Sequence, residues 1–221
     1  RGNDPMVMGE QGAIASSCNA KTGTRHMHND LTSTSRIAAT ALIVTVATQI
    51  IYIMVSNLGG TPNRPMIWST EVLALIAIAI SGLALVHARP VLGAGIAVGG
   101  VLNVIQAGMG LVMFPPLLEA GEAMTPAFSA VLALAFLLFH AGKVAFGVAA
   151  IAIARELWSG ADGFAKIVGA LAGLSGLVAL VLNVAAIVPD MDLTYPAGAA
   201  GTAATLFLAL ALTAVRPVAA E

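Results

Sequence analysis

The chain has 221 residues, of which 58% are apolar and 10% charged, and its formal net charge is -1. Together with a mean hydropathy of +0.92, this composition excludes an ordinary soluble domain and indicates a protein whose solvent is lipid. The near-neutral charge and the lack of a basic patch with interleaved aromatic residues exclude nucleic acid as a partner. A single cysteine, Cys18, excludes an intrachain disulfide and a multi-cysteine metal site.

The N-terminal segment differs in composition from the rest of the chain. Residues 1–35 are rich in Gly, Ser, Thr and Asn and show no periodic apolar face, which predicts a flexible polar tail. The run Arg25-His26-Met27-His28 marks either an artificial junction or a later natural start, so residues 1–30 are not expected to belong to the fold. The apolar run from Ile37 to Val55 is too long for an ordinary signal core, and we expect it to be a retained helix.

Six apolar runs follow, each long enough to cross a bilayer, which requires roughly 20 residues at 1.5 Å rise. Prolines and glycines separate them, and proline is tolerated where a helix begins or has already ended. The sequence therefore predicts an all-α, six-helix transmembrane bundle over residues 36–216, followed by a short C-terminal tail, 217–221. The predicted spans are 36–57, 69–88, 91–113, 126–157, 165–188 and 194–215.

The distribution of basic residues predicts the orientation in the membrane. If the N-terminus is cytoplasmic, Arg64 is the sole basic residue of the outer segments, Lys143 lies within a span, and the other basic residues lie in inner segments. The positive-inside rule then predicts that both termini are cytoplasmic. The short loops and the lack of large polar parts favour the bacterial cytoplasmic membrane as the location.

Small and polar residues recur at helical spacing along four of the predicted spans. Such residues mark helix–helix contacts in membranes, where close packing and interhelical hydrogen bonds replace the hydrophobic effect. We expect these faces to point into the bundle. They comprise Thr45, Gln49, Tyr52 and Ser56; Gly95, Gly99, Asn103, Gln106 and Gly110; Gly169, Gly173, Gly176 and Asn183; and Gly198, Thr202 and Thr205.

One layer of polar residues is predicted near the middle of the membrane. Counting 1.5 Å per residue places Lys143 roughly 16–20 Å deep, with His140 one turn further out. A lysine at that depth costs about 3 kcal/mol on insertion scales, so it must find a partner, lose its proton or face water. The predicted ligand-binding residues are Lys143, His140, Asn103, Gln106 and Gln49. Two alternatives stay open: the lysine snorkels to the cytoplasmic headgroups, or the amides only join neighbouring helices.

Glu71 is expected to be an exposed acid in the first turn of the second helix, where the helix dipole favours a carboxylate. No metal site, no catalytic set and no particular cofactor is assigned by the sequence.

The functional hypothesis is binding or transport of a small, anionic molecule at the polar layer, with the lipid bilayer as the surroundings. The first alternative is a non-enzymatic accessory or assembly subunit, whose glycine-rich helix faces contact other membrane subunits. A third class, an intramembrane enzyme, would have His140 as its sole candidate base.

Overall fold

The computed structural model describes the backbone of residues 10–160, 163–187 and 193–215, and side chains from residue 31 onward within those ranges. Two units are distinguished, Arg1–Ser33 with Pro217–Glu221 and Thr34–Arg216, and the second contains every site discussed below. Its helices are α1 (Glu10–Asn57, which begins in the first unit), α2 (Arg64–Val86), α3 (Pro90–Val112), α4 (Phe114–Glu119), α5 (Thr125–Gly160), α6 (Phe164–Ile187) and α7 (Thr194–Ala214), with a 3₁₀ turn over Gly121–Met124.

The predicted fold class is confirmed: the described residues contain helices and no strand, and six helices are long and apolar enough to cross a membrane. The chain is therefore an all-α, multi-pass membrane protein. The segments long and apolar enough to span a membrane are Leu31–Asn57, Arg64–Val86, Pro90–Glu119, Gly121–Gly160, Phe164–Ile187 and Thr194–Ala214. The cytoplasmic position of both termini stays a prediction from the distribution of basic residues.

The first helix begins earlier than the sequence pattern indicates. Backbone from Glu10 onward is helical, so helix extends into the segment predicted as a polar tail, whose residues 1–9 lie outside the described part. No proline occurs between Pro5 and Pro62, and nothing in the covalent chain stops the helix there. The predicted C-terminal tail, 217–221, also lies outside the described residues.

The second helix also begins before its predicted start at residue 69. The side-chain oxygen of Asn63 accepts a hydrogen bond from the backbone N–H of Met66 at 3.1 Å and caps the helix, and Pro65 occupies the first turn. Asparagine is a favoured N-cap and proline is tolerated in a first turn. The earlier start places Glu71 two turns inside the helix rather than at its end.

The bundle is organised around α5. This helix contacts α3, α6 and α7, while α2 packs on α3 and α6 packs on α7. The interior face of α5 is apolar toward its C-terminal end, where Phe146, Ala149, Ala150 and Ile153 are at most 1% exposed. Lys143 therefore lies about halfway along the helix that contacts most of the others.

Glycines allow these helices to approach closely, as predicted. A Cβ added at Gly147 of α5 would lie 2.8 Å from the carbonyl oxygen of Gly176 on α6, and the reverse substitution would leave 2.7 Å. A Cβ at Gly95 would lie 2.8 Å from the carbonyl oxygen of Ala145. These distances are too short for a methyl group, so the predicted glycine faces on α3 and α6 are contacts within the bundle.

Candidate functional site

The Lys143 side chain is enclosed by protein. It is 1% exposed, and α7 approaches it closely because residue 201 is glycine: a Cβ there would lie 2.7 Å from Lys143 Cγ. The Lys143 side chain therefore does not snorkel to the headgroups, which was one of the two alternatives. A buried cation of this kind requires compensation from neighbouring groups.

The compensation that surrounds the ammonium is weak. Lys143 Nζ lies 3.3 Å from Oε1 of Gln49 and 3.4 Å from Oγ1 of Thr205, and both distances are long for charge-assisted hydrogen bonds, which are usually 2.7–2.9 Å. The Phe139 and Phe146 rings lie 5.3 and 6.0 Å from Nζ, within cation–π range. Among the described residues no carboxylate contacts this ammonium directly.

Gln49 connects three helices to Lys143. Its Nε2 donates to Oε1 of Glu71 at 2.9 Å, and its Oε1 accepts from Lys143. The hydroxyl of Thr202 lies 2.9 Å from both Gln49 Oε1 and the Gly198 carbonyl oxygen, so its single proton serves one acceptor at a time. The amide thus turns its oxygen toward the cation and its nitrogen toward the acid. We name Lys143, Gln49, Glu71, Thr202 and Thr205 the Lys143 centre.

Glu71 is the member of this centre that the sequence interpretation assigned wrongly. It was expected to be an exposed acid near the helix end, but it is 8% exposed and hydrogen-bonded to Gln49. The error follows from the helix start: with α2 beginning at Arg64, Glu71 falls on the stripe that also contains the buried Leu75, Ile78 and Gly82. The Asn63 cap followed by Pro65 is the sequence signal that could have corrected it.

His140 has a different set of partners. Its Nδ1 lies 2.8 Å from Oδ1 of Asn183 on α6. The Asn183 Nδ2 donates to the carbonyl oxygens of Ala179, at 2.8 Å, and Ala197, at 3.0 Å. Because that nitrogen serves two acceptors, Oδ1 must be the acceptor for His140, which therefore donates from Nδ1. His140, Asn183 and Ala197 thus form a junction between α5, α6 and α7. Asn183 makes hydrogen bonds between helices, as expected for its place on the inward face of α6.

The two remaining predicted site residues are not hydrogen-bonded to Lys143. Asn103 is buried, but its Nδ2 donates to the Gly99 carbonyl oxygen on its own helix at 2.8 Å, and its amide packs against Gly142. Gln106 is half-buried, and its side chain makes no hydrogen bond to another described residue. The structure therefore joins Lys143 directly to Gln49, while the other three predicted residues lie in separate surroundings.

An aromatic cluster lies one helical turn from Gln49 and Glu71, toward the α1–α2 loop. Tyr52, one turn beyond Gln49, stacks on Trp68, one turn before Glu71, with ring centroids 6.1 Å apart. Trp68 in turn makes an edge contact with Phe114, which contacts Phe128 of α5. Four aromatic rings thus form a continuous chain of contacts at this end of the bundle.

Within the described part of the chain, no group of three or more His, Cys, Asp or Glu side chains could hold a metal ion. The chain matches no protein family, no curated protein and no solved structure. Function must therefore be argued from the Lys143 centre itself.

Proposed function

We propose that the protein binds or transports a small anionic molecule at the Lys143 centre, in a bacterial cytoplasmic membrane. The single observation that carries this proposal is a fully buried ammonium whose nearest polar partners are two neutral oxygens at 3.3 and 3.4 Å. An anion at that position would supply the charge-assisted hydrogen bonds that the ammonium lacks. In surroundings of low dielectric constant, such an interaction is stronger than in water.

Glu71 supports this proposal as an internal counter-charge. It reaches Lys143 through the Gln49 amide, so it lowers the cost of the buried cation without occupying the ammonium. An arriving anion would take the place of Gln49 Oε1 beside Lys143. Thr202 and Thr205 offer hydroxyl groups on α7 that could then donate to the anion.

The aromatic cluster suggests where such a molecule would enter. The Tyr52–Trp68 contact lies one helical turn from both Gln49 and Glu71, so a path from this end to Lys143 passes between α1 and α2. Separation of these two rings would open the centre to water, and their contact would close it. Loop and side-chain motions of this kind commonly control access to buried sites.

The test measures stabilisation of the purified protein by anions. Nitrate, formate, acetate and phosphate are added as sodium salts at constant ionic strength, and thermal unfolding is followed for the wild type and for Lys143→Met. The matched control is Lys166→Met, which removes the lysine that lies over the Trp158 ring rather than inside the bundle. We expect at least one anion to stabilise the wild type and Lys166→Met, and to lose its effect in Lys143→Met.

A conservative second variant, Lys143→Gln, separates loss of the charge from loss of the side chain. If every anion changes the unfolding temperature of wild type, Lys143→Met and Lys143→Gln equally, the proposal is wrong. Uptake of the stabilising anion into proteoliposomes then distinguishes transport from binding alone.

The two alternative functions have no specific structural observation in their favour. The predicted glycine faces that suggested a subunit of a larger complex are largely used in contacts between helices of this chain, as at Gly147 and Gly176. The enzyme hypothesis relied on His140 as a base, and this imidazole is held by Asn183 with no nucleophile hydrogen-bonded to it among the described residues.

A further inference from the structure

A second polar feature lies away from the Lys143 centre, where α2 turns into α3. A groove with a volume of ≈ 390 Å³ runs between the start of α3 and the C-terminal part of α5. Its lining is mostly apolar and includes three charged residues, two arginines and Glu156. We name it the α3–α5 groove; its lining includes Arg89, Val91, Leu92, Ile151, Ala152 and Arg155.

Arg89 is incompletely satisfied at this groove. Its Nε lies 3.5 Å from Oε2 of Glu156, which is a long ion pair, while Nη1 is buried and has no hydrogen-bond partner among the described residues. A buried donor without a partner is uncommon and costly in a folded protein. The Arg89 side chain as a whole is 26% exposed, so a small rotation of the guanidinium would present this unpaired donor to a further acceptor. The acceptor best matched to a guanidinium is an anion with several oxygens.

The start of α3 adds further donors beside Arg89. Arg89 is the N-cap residue and makes no side-chain capping hydrogen bond, and Pro90 has no N–H group. The backbone N–H groups of Val91 and Leu92 thus have no partner within the helix. The N-terminal end of a 23-residue helix also carries the positive end of the helix dipole, which favours an anion.

A second groove meets the first at Arg155. This α5–α6 groove, also ≈ 390 Å³, shares Ile151 and Arg155 with the first, and its lining further includes Trp158, Gly169, Ala170 and Gly173. The Trp158 side chain is 61% exposed, and Lys166 Nζ lies 4.9 Å above its ring. An exposed tryptophan beside basic residues is typical of the headgroup level of a membrane.

We propose that this site binds one anionic diacyl phospholipid. The phosphate lies between Arg89, Arg155 and the first N–H groups of α3, and one acyl chain occupies each groove, on either side of Ile151. Two arginines and Glu156 leave one net positive charge, which a single phosphodiester neutralises. The two apolar grooves that meet at one basic point match two chains that meet at one headgroup, which favours a phospholipid over free phosphate.

The experiment measures lipid binding to the purified full-length protein by native mass spectrometry. Dioleoylphosphatidylglycerol is compared with dioleoylphosphatidylcholine, whose ammonium offsets its phosphate charge. We expect the wild type to prefer the anionic lipid by about tenfold, and the double variant Arg89→Gln/Arg155→Gln to lose that preference. Arg64→Gln, at the opposite end of α2, serves as the matched control and should bind like the wild type.

A second variant tests the acyl-chain grooves without changing charge. Ala170→Trp places a large ring in the α5–α6 groove at an exposed position, and we expect it to lose binding of phosphatidylglycerol about tenfold. Leu73→Trp, also at an exposed position, is its control. Lys143→Met should bind the lipid like the wild type, since this site is independent of the Lys143 centre.

Three results would overturn the proposal. One is equal binding of the two lipids by the wild type, and another is unchanged lipid preference in the double arginine variant. The third is stabilisation of the Lys143→Met variant by inorganic phosphate or glycerol 3-phosphate to the same extent as by the lipid, which would assign the site to a free phosphate group.

Discussion

His140 and Lys143 lie one turn apart on the same helix, and both are at most 2% exposed, but their surroundings differ. His140 makes a 2.8 Å hydrogen bond to Asn183, whose amide is in turn bonded to two carbonyl oxygens. The Lys143 nitrogen makes two longer contacts, 3.3 and 3.4 Å, with neutral oxygens. The Asn183 amide beside His140 thus makes three short hydrogen bonds, whereas the Lys143 nitrogen makes only long contacts.

This difference separates a structural junction from a candidate binding centre. A buried polar group with short, complete hydrogen bonds stabilises one arrangement of helices and has little to gain from a ligand. A buried cation with long neutral partners keeps most of its capacity for an anion. If this distinction holds, variants around His140 should change stability and not anion binding, and variants around Lys143 should change anion binding.

Replacing Asn183 by leucine should have the largest effect. The change leaves the His140 Nδ1–H without its acceptor and the Ala197 carbonyl oxygen without its donor, both in a buried place. We expect a loss of about 2 kcal/mol in the free energy of unfolding, measured in detergent by denaturant titration, with anion binding retained by the folded fraction.

The matched control for this variant is Thr213→Val, which removes an exposed hydroxyl of α7 that bonds only its own helix. A selective loss of anion affinity in Asn183→Leu, with little loss of stability, would place the junction inside the binding centre and remove the distinction drawn here.

Replacing Glu71 by glutamine should have a smaller effect on stability and a larger one on binding. The side chain keeps its size and a hydrogen-bond acceptor for Gln49, but the counter-charge of Lys143 is lost. We expect a loss of about 1 kcal/mol in the free energy of unfolding, recovered when the anion is added. Anion affinity should rise about tenfold, because Lys143 is no longer attracted to an internal carboxylate.

Calorimetric titration with the stabilising anion checks this second prediction. Its control is Glu122→Gln, which changes an exposed acid just before the start of α5. Weaker anion binding in Glu71→Gln would mean that the carboxylate itself helps to hold the ligand, as it would for a cation or a zwitterion.

The helices could be predicted from the sequence because the length of an apolar run and the prolines and glycines that bound it are local properties of the chain. Six apolar runs bounded by prolines and glycines were sufficient, and depth counting placed Lys143 near the middle of the membrane with His140 one turn away. Depth says nothing about rotation around a helix axis. Asn103 has a suitable depth but turns its amide toward Gly142 and its own helix rather than toward Lys143.

Glu71 was missed for a related reason. The predicted start of α2 was about one turn too late, so Glu71 was expected at the end of the helix rather than in its buried part. Its hydrogen-bond partner, Gln49, lies on a different helix. Contacts between distant helices depend on their relative rotation and translation, which a single sequence does not determine. The Arg89 site likewise depends on α5 lying beside the α2–α3 turn, a proximity that no local pattern predicts.

Gln106 should give the smallest effect. It was predicted as a binding residue from its depth, but it is half-buried and its side chain hydrogen-bonds no other described residue. Replacing it by leucine should change the free energy of unfolding by less than about 0.5 kcal/mol and leave the affinity for the stabilising anion unchanged in calorimetry. Gln49→Leu is the informative comparison, because the same chemical change there removes the amide between Lys143 and Glu71. If Gln106→Leu weakened anion binding as much as Gln49→Leu, α3 would have to rotate toward Lys143 when the ligand binds, and the centre would extend to the predicted layer as a whole.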